Sequence, residues 1–255
     1  MIAAPLVKTA LITGASKRIG MAIALGLANA GYAVAVHYNA SRADAEEVVA
    51  QIEAAGGQAI AVQADLTDEQ STRTLIERTG SQLGRIGVLI NNASLFVEDE
   101  IGSDNSELWN QHFSVHVRAP GILAAEFCDQ LADDKHGLIV NIIDQRVWKL
   151  NPNFHSYTLS KSALWTATQT MAQTFAPRIR VNAIGPGPTL PSFRQTQEQF
   201  DQQVETLPLR VAPQLDEFTK TILFFADTPS VTGQMIALDG GQHLAWETDD
   251  LKVRE

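Results

Sequence analysis

The chain has 255 residues, 45% of them hydrophobic, and a formal charge of −10 from 29 acidic and 19 basic side chains. That length and apolar content suit a single core, and the acidic balance lacks the clustered cations that a nucleic-acid partner requires. The single cysteine, Cys128, excludes an intrachain disulfide and a cysteine metal cluster, and no apolar run approaches a membrane span.

Residues 1–7 are too few for a secretory apolar segment before the first strand, so a cytoplasmic protein is expected. Thr9-Ala10-Leu11-Ile12-Thr13 is apolar and partly β-branched, which predicts a buried parallel strand. It runs into Gly14-Ala15-Ser16-Lys17-Arg18-Ile19-Gly20 and then an Ala/Leu-rich stretch to Ala30, giving strand, tight turn and helix. A helix start of this kind offers free N–H groups and a positive dipole end to a pyrophosphate. Gly14 permits the turn, Gly20 permits close approach, and Lys17 and Arg18 add positive charge where phosphate would sit.

The next strand, 32–38, ends in His37-Tyr38-Asn39-Ala40-Ser41-Arg42, with no acid before Asp44. In dinucleotide folds an acid at this strand end holds the adenosine ribose and would repel a 2′-phosphate. Its absence, beside Lys17, Arg18, Ser41 and Arg42, points to NADP(H) over NAD(H).

Further strands are predicted over 59–64, 88–91, 138–143, 180–183 and 235–238. Helices are predicted over 43–55, 69–83, 105–132, 156–175 and 215–226. Alternation of this kind predicts an α/β Rossmann-type fold: one domain over 1–245, with a doubly wound parallel sheet of about seven strands and helices on both faces. The Pro-, Ser- and Gln-rich segment 190–207 reads as a lid over the substrate. The end, 246–255, is charged and without apolar period, and reads as a loose tail.

Tyr157 and Lys161 stand four apart on the helix predicted over 156–175, hence on one face. An ammonium beside a phenol favours the phenolate, so Lys161 is expected to lower the Tyr157 pKa and let it exchange a proton near neutral pH. The histidines show no spacing suggestive of a metal site, and none is expected.

These motifs stand in one order along the chain: the Thr13–Gly20 turn, Asp65-Leu66, Asn91-Asn92-Ala93-Ser94, Tyr157 with Lys161, Pro186-Gly187, and Thr232-Gly233 with Asp239-Gly240-Gly241. From about residue 8 to about residue 244 the chain resembles the short-chain dehydrogenase/reductase family. The resemblance implies that Asp65 and Leu66 meet the adenine edge and that Asn92 and Ala93 lie beneath the adenosine ribose. It makes Tyr157 the proton donor, and gives Lys161 the nicotinamide ribose. Pro186, Gly187 and Thr189 would flank the nicotinamide and pyrophosphate. Ile19 and Ser94, with His37, Tyr38, Asn39 and Ser41 at the end of the second strand, complete the expected cofactor contacts. Assembly as a homotetramer through 105–132, 156–175 and the 235–238 region is implied by resemblance alone.

Three positions depart from the family's pattern: Arg18 at a glycine, Asp144 at the serine thirteen before the tyrosine, and His116 at the active-site asparagine. Lys17-Arg18, Asp144 and Asn91-Asn92-Ala93-Ser94-Leu95-Phe96 resemble the pteridine reductase branch. His116 and the ending Asp239-Gly240-Gly241-Gln242-His243-Leu244 resemble bacterial dihydromonapterin reductases. The implied reaction is hydride transfer from NADPH to a C=N bond of a dihydropterin. Phe96 would cover the pterin face, Trp148 wall the pocket, Arg18 bridge pyrophosphate and substrate, and Asp144 accept from heterocycle N–H groups or relay a proton. Two rivals are an NADPH-dependent carbonyl reductase acting on 3-oxoacyl thioesters, ketones or sugars, and an NADP-binding sensor without turnover.

Overall fold

A computed structural model describes residues 6–103 and 105–246. Seven strands pair in parallel: β1 (Thr9–Ile12), β2 (Ala33–Tyr38), β3 (Ala59–Gln63), β4 (Val88–Asn91), β5 (Gly137–Ile142), β6 (Ile179–Pro186) and β7 (Met235–Leu238). Their order is β3-β2-β1-β4-β5-β6-β7. The chain builds outward from β1 to β3 and then returns to place β4 on β1's other side. Ile12 is therefore in register with Val36 on one flank and Ile90 on the other. This reversal leaves a crevice at the carboxyl ends of β1 and β4, where ligands bind in such sheets.

The helices are α1 (Arg18–Asn29), α2 (Arg42–Ala54), α3 (Glu69–Leu83), α4 (Ser106–Phe113), α5 (Ala119–Gln130), α6 (His155–Phe175), α7 (Gln197–Glu205) and α8 (Leu215–Asp227). Every residue of β1 and β5 is buried, which is why these strands read as unbroken apolar runs rather than alternating ones. On one face Ile23, Leu27, Val48, Phe218 and Phe225 pack against the sheet; on the other Leu75, Leu123 and Phe127 do so. Each such side chain, fully buried, contributes about 1.5–3 kcal/mol, so this double layer fixes the strand ends on which the site stands.

Two expectations are corrected and a third is given its structure. The helix expected over 105–132 is α4 and α5 joined by a π-helical turn at Ser114–Arg118. The strand expected over 180–183 extends from Ile179 to Pro186. The lid segment 190–207 contains α7, whose Thr196 and Gln199 form a capping box. Of the expected tail, Trp246 is exposed and 247–255 lie outside the described residues.

Candidate active site

The turn after β1 is held open by its own sequence. Gly14 has φ +62°, and a Cβ there would lie 2.9 Å from Ala93 Cα; a Cβ on Gly20 would strike the Gly14 carbonyl. Lys17 caps α1 without a side-chain hydrogen bond to it, and no acid occupies the first turn. The first N–H groups of α1 thus face the crevice without a side-chain acceptor, which suits a pyrophosphate. Arg18 stands at φ +54°, the left-handed backbone that glycine adopts freely and other residues hold at a cost of about 1–2 kcal/mol. Its guanidinium reaches the lid and donates to Pro191 O (2.9 Å) and Leu190 O (3.3 Å). Lys17 pairs with Asp44 at 2.9 Å on the surface.

Asn92 ties the turn to β4. Its amide donates to Thr13 O (2.8 Å) and Gly14 O (3.0 Å), while the Thr13 hydroxyl accepts from the backbone of Asn92 and of Ala93 (2.9 Å each). His37 requires a correction. The sequence placed it among the cofactor contacts; it points inward from β2, 2% exposed. Its Nδ1 accepts from the Gly14 N–H (2.9 Å), so Nε2 carries the proton and donates to Ala64 O (3.1 Å). Burial pushes its pKa down to about 4, and its part is to hold the turn in place. Tyr38 and Ser41 are half-buried and Asn39 is exposed at the end of β2. Asp65 accepts from Thr67 through both backbone and hydroxyl (2.8 and 2.7 Å), and Leu66 is buried behind it.

Across the crevice, β5 delivers Asp144 and α6 delivers Tyr157 in its first turn and Lys161 one turn later. Tyr157 donates its phenolic proton to Asp144 Oδ2 at 2.8 Å. Asp144 also accepts from the Arg146 N–H at Oδ1 (2.8 Å) and from the Arg146 guanidinium at Oδ2 (3.3 Å). Lys161 is buried; its Nζ lies 5.8 Å from the Tyr157 ring centre and donates to Ile142 O at 2.9 Å. The expected depression of the tyrosine is corrected. Burial raises the Tyr157 pKa well above its ordinary value, and the Asp144 charge raises it further. Burial pulls Lys161 down to about 8. The ammonium is turned toward a carbonyl and the carboxylate is the phenol's direct partner, so Tyr157 holds its proton.

His116 lies in the π-helical turn, a local widening often found at functional sites. Its tautomer follows from its partners. The Leu95 N–H donates to Nε2 (3.1 Å), so Nδ1 carries the proton and donates to Ser160 Oγ (2.9 Å), which in turn donates to Tyr157 O (2.8 Å). Ser94 Oγ adds a contact to Nε2 at 3.0 Å. Burial, with Lys161 and His112 nearby, holds the His116 pKa well below its ordinary value, so the ring is neutral.

Phe96 packs flat on Phe154 (4.6 Å between ring centres) and meets Tyr157 edge-on at 4.9 Å. Trp148 is less enclosed, at 43% exposure, and leans on His243 (5.0 Å between rings). Pro186, Gly187 and Thr189 follow at the end of β6: Gly187 N–H donates to Leu238 O (2.8 Å) and Thr189 Oγ1 to Gly187 O (3.1 Å). Ile19 is half-buried behind the turn. Sequence reading missed Arg146, Phe154 and Arg194, whose guanidiniums and ring crowd Phe96. It also missed Asp99, whose carboxylate accepts from the Ser156 N–H at 3.0 and 3.1 Å and so secures the start of α6. Phe154, three residues before Tyr157, had only its aromatic character to signal it. Among the described residues no cluster of His, Cys, Asp and Glu could hold a metal ion, and no helix is long and apolar enough to cross a membrane.

Comparison with known proteins adds to this geometry. A family model described as short chain dehydrogenase matches residues 8–202. The chain is 54% identical to FolM alternative dihydrofolate reductase 1 from Brucella canis, crystallised with NADP. That comparison covers 97% of this chain and 99% of the other, with a TM-score of 0.94. It is 37% identical to an oxidoreductase of Methylorubrum extorquens of uncharacterised activity, over 92% of this chain and 97% of the relative. It is 31% identical to the 3-oxoacyl-[acyl-carrier-protein] reductase FabG of Staphylococcus epidermidis, over 93% of this chain and 99% of the relative.

Proposed function

The chain belongs to the short chain dehydrogenase family, and on that premise we propose that this NADP-dependent oxidoreductase reduces a C=N bond of a dihydropterin. The Gly14–Gly20 turn and the free N-terminus of α1 would hold NADPH, which would supply the hydride. The hydride forms the new C–H bond, the π pair of the C=N bond moves to nitrogen, and Tyr157 gives that nitrogen its phenolic proton. Lys161 presents a buried donor beside the phenol, and Asp144 holds the phenol in place.

One observation carries this reading. The group that receives the Tyr157 proton bond is the Asp144 carboxylate, at 2.8 Å. A serine hydroxyl at that position could donate to a ketone oxygen, whereas a carboxylate only accepts. It therefore suits a heterocycle that brings its own N–H donors. The 54% identity to the Brucella protein supports the same substrate class. Asp65, Leu66, Asn92, Ala93, Ser94, Pro186, Gly187 and Thr189 line the cofactor's path in this proposal. Arg18, Phe96 and Trp148 contact substrate together with Asp144 and Tyr157. The proposal extends to a cytoplasmic homotetramer.

A second reading, reduction of 3-oxoacyl thioesters, draws on the FabG relative. NADPH oxidation measured with a dihydropterin and with an acetoacetyl thioester separates the two. The expected result is turnover of the pterin, with Tyr157→Phe losing about a hundredfold to ten-thousandfold in kcat while NADPH binding persists. Turnover of the thioester alone would reverse the assignment.

A further inference from the structure

Three guanidiniums stand along the crevice and the 190–207 segment, Arg18, Arg146 and Arg194, and two are engaged. Arg18 donates to lid carbonyls and Arg146 to Asp144. Arg194, on the lid just before α7, differs: among the described residues its guanidinium makes no hydrogen bond. It faces Glu98 at 3.8 Å, and that acid's side chain is 60% exposed, an arrangement worth little and easily exchanged. What fixes Arg194 is aromatic. Its guanidinium carbon lies 5.3 Å from the Phe96 ring centre, 5.8 Å from that of Phe154 and 4.8 Å from that of Phe193. Cation–π contacts of this kind orient a guanidinium without using its N–H donors.

We propose that Arg194 is a specificity residue that binds a carboxylate on the side chain of the substrate. This rests on the dihydropterin reading and names the pterins it favours: those whose side chain ends in an acid. Phe96 meets both Tyr157, edge-on at 4.9 Å between ring centres, and Arg194, whose guanidinium carbon lies 5.3 Å from its ring centre. The contacts that join Arg194 to Tyr157 run through the Phe96 and Phe154 rings, so the acid belongs on a side chain rather than on the reacting ring itself. The pair offers an apolar surface for the intervening segment, and the planar fork matches a carboxylate with two parallel hydrogen bonds. The substrate's acid takes the place that Glu98 holds in the free protein.

The test compares dihydrofolate, which carries such an acid, with dihydrobiopterin, which does not, in wild type, Arg194→Gln and Arg194→Lys. Arg194→Gln is expected to raise KM for dihydrofolate about tenfold or more. Its kcat, and both constants for dihydrobiopterin, should stay near wild type. Arg194→Lys should recover part of the loss. Wild-type KM for dihydrofolate should rise with salt, and that dependence should flatten in Arg194→Gln. Equal losses on both substrates, or none, with both still turned over, would overturn the carboxylate assignment and leave the pterin reading standing. If neither substrate is turned over by wild type, the pterin reading itself falls and this inference with it.

Discussion

Tyr157 keeps its proton because burial and a carboxylate both work against the phenolate. A proton donor must be protonated to act, so the phenol limits activity only where pH rises through this raised pKa, while Lys161, pulled down by burial to about 8 and partly held up by the Asp144 charge, titrates first. Asp144→Asn removes the charge that raises both and leaves a side chain of similar size. The alkaline limb of the kcat/KM profile should then move to lower pH. At neutral pH, kcat/KM for a dihydropterin should drop about tenfold to a hundredfold, through the lost acceptor for substrate N–H groups. An unmoved alkaline limb would mean that Asp144 sets neither titration. Arg146 completes the arrangement: with its N–H on one carboxylate oxygen and its guanidinium on the other, it fixes which lone pairs face the phenol.

At the scale of elements, His37 joins β2, the cofactor turn and the residue following β3 through two hydrogen bonds, one buried and one partly buried. Its pKa is about 4 in the folded chain against 6.5 as an ordinary histidine, so between those values the unfolded chain binds a proton that the folded chain refuses. The sign follows: this stability is present above pH 6.5 and lost as pH falls toward 4, about 3 kcal/mol in all. Urea unfolding of wild type and His37→Gln across that range should show a steeper acid loss in wild type; parallel curves would refute it. His112 and His116, also shifted downward by burial, act in the same direction in both proteins. The strands and the Gly14–Gly20 turn were legible because buried parallel strands leave continuous apolar runs and the turn needs glycine. The π-helical break was not, since it is set by what His116 meets: Leu95 and Ser94 on one side and Ser160 on the other. α7 buries only Phe200, so it has no apolar period, and its Thr196–Gln199 box was the signal available. Tyr157 and Lys161 were readable from their spacing on one helix, and Asp144 from the family resemblance. The cluster of Arg146, Phe154 and Arg194 on Phe96 was not, because the lid segment joins it only through the fold.

At the scale of the whole molecule, the helices α4 and α6 carry an apolar face that the monomer leaves uncovered. Trp109 on α4 is 39% exposed, and Leu159 on α6 is 41% exposed. They form one patch: Trp109 leans on His155 with 5.9 Å between rings, and Leu159 follows His155 by one turn on the same helical face. Tyr157 and Lys161 are buried on the inward side of that helix, so a partner docked on the outer side would brace the element that positions them. β7 adds a second exposed feature, an edge strand paired on one side only, of the kind that a symmetric copy can cover. Light scattering should therefore give the mass of several chains, four for the proposed homotetramer. Leu159→Glu places a charge in the patch without entering the site, and should lower that number. It should also lower thermal stability by several degrees, because association stabilises the folded subunit by mass action. A wild-type protein that runs as a single chain at micromolar concentration would refute the assembly, and the exposed face of α4 and α6 would then need another partner.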